Sequence, residues 1–319
     1  MNDNANGYQG GLDTNNGPST KSSPRTAALL IAVVPDDEVR FSALWSQLEC
    51  LYDAEKFQSI VIGAPDWAKK ENILQPFIQK AIESIPHLKD AEILIKYHVN
   101  DRYDVGLWCD SLKDTDGTVL NRYDDFVLIN DSIWALEKNF TGVLDTLREK
   151  NLTMTSLNYS GKLDESYWLE SVFRGFNKRG MKRYMEHACV PADHHFWCRR
   201  KKAKKKRKRC IVEKFEIAIA TLFERNETMG LYSSDVPSSM IRRSYLHKFP
   251  TWVFHLGYWY TVLRPKGFPV VKVSNERFLN EAKLKAPDDF NTCTRYLDVS
   301  FLAPIQERVR VFGEQRVGA

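Results

Sequence analysis

The sequence predicts an α/β protein with a doubly wound, mostly parallel sheet. The first observation is a continuous apolar run over residues 27–34, which is typical of a parallel strand buried on both faces. The second is that further strand-like runs, over 57–63 and 91–99, are separated by segments in which apolar residues recur at helical spacing. Strands that alternate with helices in this way form parallel sheets with right-handed crossovers.

The other elements of the first half continue this alternation. In the helix predicted over 41–51, apolar residues recur every three or four positions, as on the buried face of a surface helix. Further helices are predicted over 72–85, 106–112 and 135–150, and further strands over 126–129 and 152–157.

The second half of the chain is less regular. The pattern predicts an edge strand over 167–176 and helices over 179–187 and 210–225, before an aromatic segment over 249–262. We therefore expect four parts, which are a disordered tail (1–25), an α/β half (26–160), a mixed α+β half (161–285) and a C-terminal extension (286–319).

The positive charge of the chain is concentrated in one block. Residues 199–209 (RRKKAKKKRKR) hold ten basic residues in eleven, and without these ten charges the formal net charge of +5 becomes −5. Because like charges repel and do not pack, we expect a solvated, mobile loop. Such a block suits an anionic membrane surface, nucleic acid or nuclear import, and an insertion without a specific role is the alternative.

The cysteine pattern predicts reduced thiols. Six cysteines follow no framework spacing, which favours a cytoplasmic protein. The basic block 199–209 would attach such a protein to the surface of a membrane. The Golgi and the nucleus stay open as locations. Residues 1–24 lack the apolar segment of a signal peptide, and no window is apolar enough for a membrane span. We therefore treat as chance the Asn-x-Ser/Thr triplets that begin at Asn139, Asn151, Asn158 and Asn226.

Polar side chains follow two neighbouring predicted strands at the point where each strand ends. In α/β sheets, residues at the carboxyl ends of strands reach the crevice above the sheet, so we expect Asp104 and Asp131 to face one site. The structural alternative is that both carboxylates cap the helices that follow them. The two polar sets are Asn100, Arg102, Asp104 and Gly106 after the first strand, and Asn130, Asp131 and Ser132 after the second.

These two sets resemble motifs of the rhamnan synthesis protein F family of glycosyltransferases. In that family an Asn-x-Gly-x-Asp-x-Gly segment precedes a strand that ends in Asn-Asp-Ser. The resemblance extends over residues 27–280. Its further segments are Trp168 to Phe176 (family His-Leu-Gln-Ser-x-Phe-x-x-Phe), Phe215-Glu216-Ile217 (family Tyr-Glu-Ile) and Phe268 to Lys272 (family Pro-Phe-Ile-Lys).

The resemblance implies a GT-A-like fold and transfer of a sugar, for example the deoxyhexose rhamnose, from a nucleotide-sugar to a polysaccharide or glycan, including a lipid-linked glycan. Residues 26–160 would bind the donor and 161–285 the acceptor. Asp131 would hold a Mn²⁺ or Mg²⁺ ion that neutralises the departing diphosphate, and Glu216 would be the acceptor-side base. The donor would meet Asn100, Arg102, Asp104, Gly106, Asn130 and Ser132, and the acceptor Trp168, Glu170, His194, His195 and Lys272.

The chain departs from the family pattern at three positions, where Arg102 replaces a Gly, Trp168 a His and Glu170 a Gln. Arg102 would either clamp a phosphate through a bidentate contact or block the donor pocket. In the second case the protein would be a catalytically disabled module that binds carbohydrate or nucleotide. A nucleic-acid binder that uses the block at 199–209 is a third hypothesis. For Glu216, compensation of a helix dipole is the structural alternative.

Overall fold

A computed structural model describes residues 24–100, 102–113, 118–138, 140–163, 166–189, 210, 218–234, 262–273 and 293 of the protein. In these residues an eight-stranded sheet and a two-stranded sheet form the framework. The strands are β1 (Ala27–Ala32), β2 (Ser59–Pro65), β3 (Glu92–His98), β4 (Asp125–Asn130), β5 (Ile133–Ala135), β6 (Met154–Leu163), β7 (Ser166–Leu169), β8 (Phe173–Asn177), β9 (Thr228–Ser233) and β10 (Val270–Lys272).

Helices connect most of the strands of the first half. They are α1 (Glu38–Cys50), α2 (Asp66–Lys70), α3 (Leu74–Ser84), α4 (Tyr103–Leu112), α5 (Thr118–Arg122), α6 (Gly142–Glu149) and α7 (Lys178–Ala188). Single 3-10 turns lie at Pro86–Leu88, Ala218–Leu222, Arg225–Glu227 and Arg264–Lys266.

The large sheet is mostly parallel. Its strand order is β3-β2-β1-β4-β8-β6-β7, and β9 pairs with β6. β1 to β4 pair in parallel, whereas β8 is antiparallel to both β4 and β6 and β7 is antiparallel to β6. Because β9 is parallel to β6, both of these strands run in the direction of β1 to β4. The predicted α/β class with a mostly parallel sheet is confirmed.

The strand order reverses between β1 and β4. The chain builds outward from β1 through β2 to β3, and then returns to add β4 on the other side of β1. At such a switch point the loops after the two central strands diverge, and the carboxyl ends of the strands line a crevice. The polar residues after β4 therefore lie where open α/β sheets bind their ligands.

The apolar run of β1 is buried on both faces of the sheet. Leu29 and Ile31 belong to one apolar cluster, with Phe41 of α1, while Leu30 belongs to a second cluster, with Trp108 of α4. Because side chains alternate across a strand, this division means that helices cover both faces of the sheet. This burial on both faces explains why residues 27–34 form a continuous apolar run.

The segment after Asn130 differs from the prediction. The sequence predicts a helix over 135–150, but Ile133–Ala135 forms β5 and the helix α6 begins at Gly142. β5 pairs antiparallel with β10, in the register Ile133 to Lys272. The local pattern carries no signal for a pairing with a segment so far along the chain.

Two predictions for the second half are wrong in the described residues. The edge strand predicted over 167–176 is two strands, and the second of them, β8, lies inside the sheet between β4 and β6. The helix predicted over 210–225 does not continue through Glu224, because Glu224 and Glu227 form a capping box that starts a separate 3-10 turn.

The expectation of reduced thiols is also wrong, and the cysteines therefore give no support for a cytoplasmic location. Cys50 is bonded to Cys293 and Cys109 to Cys189, with Cα–Cα separations of 6.3 and 5.1 Å. Cys210 is disulfide-bonded as well. The partners are 243 and 80 positions apart in the two described bonds, so spacing along the chain gives no indication of them.

In the described ranges, no helix has both the length and the apolar character needed to cross a bilayer. Residues 1–23, the basic block 199–209 and residues 249–261 lie outside these ranges. The division of the chain at residue 160 stays a prediction.

Candidate functional site

The candidate site lies at the carboxyl ends of β1 and β4, at the switch point of the sheet. Ala32, the last residue of β1, pairs with Asn130, the last residue of β4. The backbone N–H of Asp131 then donates to the carbonyl of Ala32 at 3.0 Å, which extends the ladder by one bond. The register therefore fixes the position of Asp131 beside the loop that follows β1.

Asp131 is buried, and both of its carboxylate oxygens accept hydrogen bonds. Arg40 Nη1 donates to Oδ1 at 2.7 Å, and the backbone N–H of Val34 donates to Oδ2 at 2.6 Å. Arg40 is in the first turn of α1, where its own N–H donates to the N-cap side chain of Asp37 at 2.8 Å. The start of α1 thus positions a guanidinium against the end of β4.

Burial raises the pKa of Asp131 to about 7. The neighbouring carboxylates Asp104 and Asp36 raise the pKa further, whereas Arg40 and the N–H of Val34 oppose the shift. That Asp104 and Asp131 face one functional site stays a prediction. Near neutral pH, Asp131 is poised between its charged and neutral forms.

A chain of polar side chains continues from Asp104 to Lys272. Asn130 Nδ2 donates to Asp104 Oδ2 at 2.6 Å, and Asn130 Oδ1 accepts from the backbone N–H of Ser132 at 3.1 Å and from its hydroxyl. Lys272 Nζ donates to Ser132 Oγ at 2.7 Å. Since β10 pairs with β5, Lys272 is held beside the turn at Asp131 and Ser132, on the side that the sequence assigns to the donor.

The turn that carries these side chains is anchored from α1. Gln47 Nε2 donates to the carbonyl oxygens of Asn130 and Ile133, both at 2.8 Å. From the other face of the sheet, Trp108 Nε1 donates to the carbonyl of Ile129 at 3.0 Å. These buried bonds fix the backbone of the turn, so its side chains are pre-organised.

Arg102 lies along α4. Its guanidinium forms an ion pair with Asp110 at 2.5 Å, and its side chain is 13% exposed. Gly106 leaves room for this path, because a Cβ at Gly106 would lie 2.8 Å from Arg102 Cβ. The pairing with Asp110 gives Arg102 a structural partner. Both its contact with a donor phosphate and its blocking of the pocket stay predictions.

Asn100 follows β3 at the same edge of the sheet. Its Oδ1 is buried and has no hydrogen-bond partner in the parts of the chain that the structure covers. Buried polar atoms are nearly always satisfied, so this acceptor is a place where a bound hydroxyl or amino group would gain a bond.

Glu170 follows β7, which lies three places from β4 in the order β4-β8-β6-β7. Its N–H donates to the carbonyl of Asn158 in β6, and its Oε1 accepts from the N–H of Ser171 at 2.9 Å. The backbone of Trp168, in β7, pairs with that of Ser160 in β6. Glu216, His194 and His195 lie outside the described residues.

The arrangement bears on the predicted metal ion. Asp131 presents no oxygen that lacks a donor, because Arg40 and Val34 take both. No group of three or more His, Cys, Asp or Glu that could hold a metal ion occurs among the residues with described positions. A divalent cation at Asp131 would share each carboxylate oxygen with a donor already in place, and the positive charge of Arg40 beside Oδ1 would oppose it. In this conformation the residues fit a metal ion poorly.

Sequence reasoning missed Arg40 and the N–H of Val34. A signal was present, because both follow β1, and the carboxyl end of the first strand is one side of the switch point in a doubly wound sheet. What the sequence alone did not show is that β4 is one of the two strands that pair with β1.

The solved structures similar to this chain include two glycosyltransferases. No family model matches the chain, and no curated protein matches it. The WbbM bifunctional glycosyltransferase is similar over 79% of this chain and 46% of its own, with 11% identity and a TM-score of 0.40. Mouse xyloside xylosyltransferase 1 is similar over 71% and 94%, with 9% identity and a TM-score of 0.38.

The chain thus spans less than half of WbbM. At these TM-scores the similarities carry no argument about family or activity, and the rhamnan synthesis protein F family stays a resemblance of sequence motifs. What supports a function is the geometry at the switch point.

Proposed function

We propose that the protein is a glycosyltransferase that takes a sugar from a nucleotide-sugar and stabilises the departing nucleoside diphosphate at the end of β4. One observation carries the proposal, which is that two cationic side chains meet adjacent residues of a single turn at the switch point. Arg40 bonds to Asp131, and Lys272 bonds to Ser132. The crevice above such a turn is where α/β sheets bind phosphate-bearing ligands.

The chemistry needs positive charge at this place. When the bond between the sugar and the diphosphate breaks, negative charge develops on the leaving oxygens, and pre-positioned cations stabilise it more than water does. Arg40 offers a planar donor for a bidentate phosphate contact, and Lys272 offers a point charge. In this proposal Asp131 positions Arg40, while Asn130, Asp104 and Asn100 meet the hydroxyl groups of the donor.

A divalent cation is the alternative source of charge. Mn²⁺ or Mg²⁺ would supply Lewis-acid stabilisation of the diphosphate if it replaced the guanidinium of Arg40 at Asp131. The side chain of Arg40 is 32% exposed, so it has a path to solvent. The sugar, which we expect to include deoxyhexoses, and the glycan acceptor remain part of the proposal, with Glu170, Trp168 and Glu216 on the acceptor side.

The test is transfer and hydrolysis of a panel of nucleoside diphosphate sugars by the wild-type chain and by Arg40→Gln. We expect kcat/KM to fall about 100-fold, because one charged donor to the leaving group is lost. The matched control is Arg122→Gln, which removes an exposed arginine at the opposite end of β4, where Arg122 pairs with Glu92.

Chelation by EDTA separates the two sources of charge. Activity that survives EDTA assigns the neutralising role to Arg40 and Lys272, and activity that needs added Mn²⁺ assigns it to a metal at Asp131. Equal activity of the Arg40 and Arg122 variants, or binding of the nucleotides without any transfer or hydrolysis, would contradict the proposed function.

A further inference from the structure

The described cysteines are all oxidised. Cys50–Cys293 ties α1 to a residue near the C-terminus, and Cys109–Cys189 ties α4 to the end of α7. Disulfides of this structural kind form and persist in oxidising compartments, such as the lumen of the secretory pathway, and they are rare in the cytosol. In that lumen an Asn-x-Ser/Thr triplet is an acceptor for an N-linked glycan.

The fold sorts the triplets of the chain by exposure. Asn151, in Asn151-Leu-Thr153, is exposed and lies just after α6 with φ of +50°, a conformation that asparagine tolerates well. Asn226, in Asn226-Glu-Thr228, is exposed in a 3-10 turn before β9. Asn158 is fully buried, and its Nδ2 donates to Ser234 Oγ at 2.8 Å.

We infer that the folded protein carries N-linked glycans at Asn151 and Asn226, none at Asn158, and that it matures in an oxidising secretory lumen. Two further triplets begin at Asn130 and Asn139. Asn130 is buried and its Nδ2 donates to Asp104 Oδ2 at 2.6 Å, so we expect no glycan there, and the side chain of Asn139 lies outside the described residues.

The two exposed asparagines lie close together on the molecule. Met154 and Thr228 are paired at the beginning of β6 and β9, and Thr153 N–H donates to the carbonyl of Glu227 at 2.9 Å. Because β6 and β9 run in the direction of β4, their beginnings are at the edge of the sheet opposite the end of β4. Glycans at this edge leave the crevice at Asp131 open.

The glycans must be attached before folding ends. The hydroxyl-bearing residues of the two triplets, Thr153 and Thr228, are buried in the folded chain, so a transferase reaches the whole triplet only in the unfolded chain. In the transfer, Nδ2 of asparagine forms a bond to C1 of a polyprenyl-diphosphate oligosaccharide. The bond from C1 to the diphosphate oxygen breaks, the polyprenyl diphosphate leaves with that electron pair, and the amide nitrogen loses one proton.

Folding then decides which glycans the mature protein can hold. A glycan on Asn151 or Asn226 projects into solvent. A glycan on Asn158 would have to occupy the buried contact with Ser234, and such chains would not fold.

The experiment uses the full chain purified from its own cells. The intact mass is measured before and after peptide N-glycosidase, which releases the glycan and leaves aspartate. We expect a mass above the 36.9 kDa of the polypeptide and a loss of two glycans, with Asp found at 151 and 226 and Asn retained at 158.

Single variants assign the sites. Asn151→Asp and Asn226→Asp keep the shape of the side chain and the preference for the turn, and each is expected to remove one glycan. The control is Asn121→Asp, an exposed asparagine outside any triplet, which is expected to change nothing. A native chain at its polypeptide mass, or a glycan on Asn158 of the folded protein, would overturn the inference. Neither result depends on whether the protein transfers sugar.

Discussion

At the scale of single residues, Asp131 shows how the site combines a charge with burial. Removing a carboxylate from water is costly, and the ion pair with Arg40 and the N–H of Val34 offset part of this cost. The raised pKa shows that they do not offset all of it. The carboxyl group is therefore held for its position and not for the stability of the fold.

This balance predicts how stability depends on pH. The pKa of Asp131 is about 7 in the folded chain, above the usual value of 3.8. As the pH rises from about 4 to 7, Asp131 ionises in the unfolded chain before it ionises in the folded chain. The free energy of unfolding is therefore highest at low pH and falls over this range. Between pH 5 and pH 8 the wild-type chain should lose about 2–3 kcal/mol that Asp131→Asn does not lose.

Urea unfolding of both chains at the two pH values measures this difference. Asp145→Asn, which removes a partly exposed carboxylate paired with Lys56, serves as the control and should keep the wild-type slope. If Asp131→Asn keeps that slope too, the carboxyl group titrates normally and is not buried as described.

At the scale of elements, the first turn of α7 packs in direct contact with the start of β6. Asn177 caps α7 by accepting from the N–H of Gly180 at 2.8 Å, and its Nδ2 donates to the carbonyl of Leu152 at 2.9 Å. A Cβ at Gly180 would lie 2.2 Å from the carbonyl oxygen of Thr153. Glycine at this position allows the helix and the strand to make their closest approach.

Gly180→Ala should therefore destabilise the protein by about 2–3 kcal/mol, because the helix must move away from β6. Gly267→Ala is the matched control. Gly267 has φ of +76° with no atom within 4 Å of the added Cβ, so that change should cost about 1 kcal/mol, from backbone conformation alone. Chemical denaturation compares the two, and an equal or smaller cost at Gly180 would argue against the close contact.

Whether the sequence predicts an element depends on whether the element is formed by local or by distant contacts. β1 is predictable because two-sided burial leaves an apolar run within the strand itself. β5 is not predictable, because Ile133–Ala135 becomes a strand through pairing with β10. Asp104 and Asp131 are predictable as neighbours because each follows a strand of one sheet, whereas Arg40, 91 positions from Asp131, depends on which strands are adjacent.

At the scale of the whole molecule, the disulfides cross-link distant parts of the chain. Cys109–Cys189 closes a long loop that holds β4 to β8, so it restricts the unfolded chain strongly. The free energy of unfolding of the double variant Cys109→Ser/Cys189→Ser should be about 2–4 kcal/mol lower than that of wild type. Thermal or urea unfolding of both chains measures this, and a midpoint of the double variant equal to that of wild type would show that the bond is absent from the native protein. Wild type treated with a reductant also loses Cys50–Cys293, so its midpoint should lie at or below that of the double variant.

Cys50–Cys293 has a consequence for the integrity of the chain. A protease that cuts the backbone once, anywhere from residue 51 to residue 292, leaves one fragment with Cys50 and another with Cys293. The nicked molecule stays a single covalent species until a reductant separates its halves. In a chain without this disulfide, the same cut would leave two fragments with no covalent bond between them.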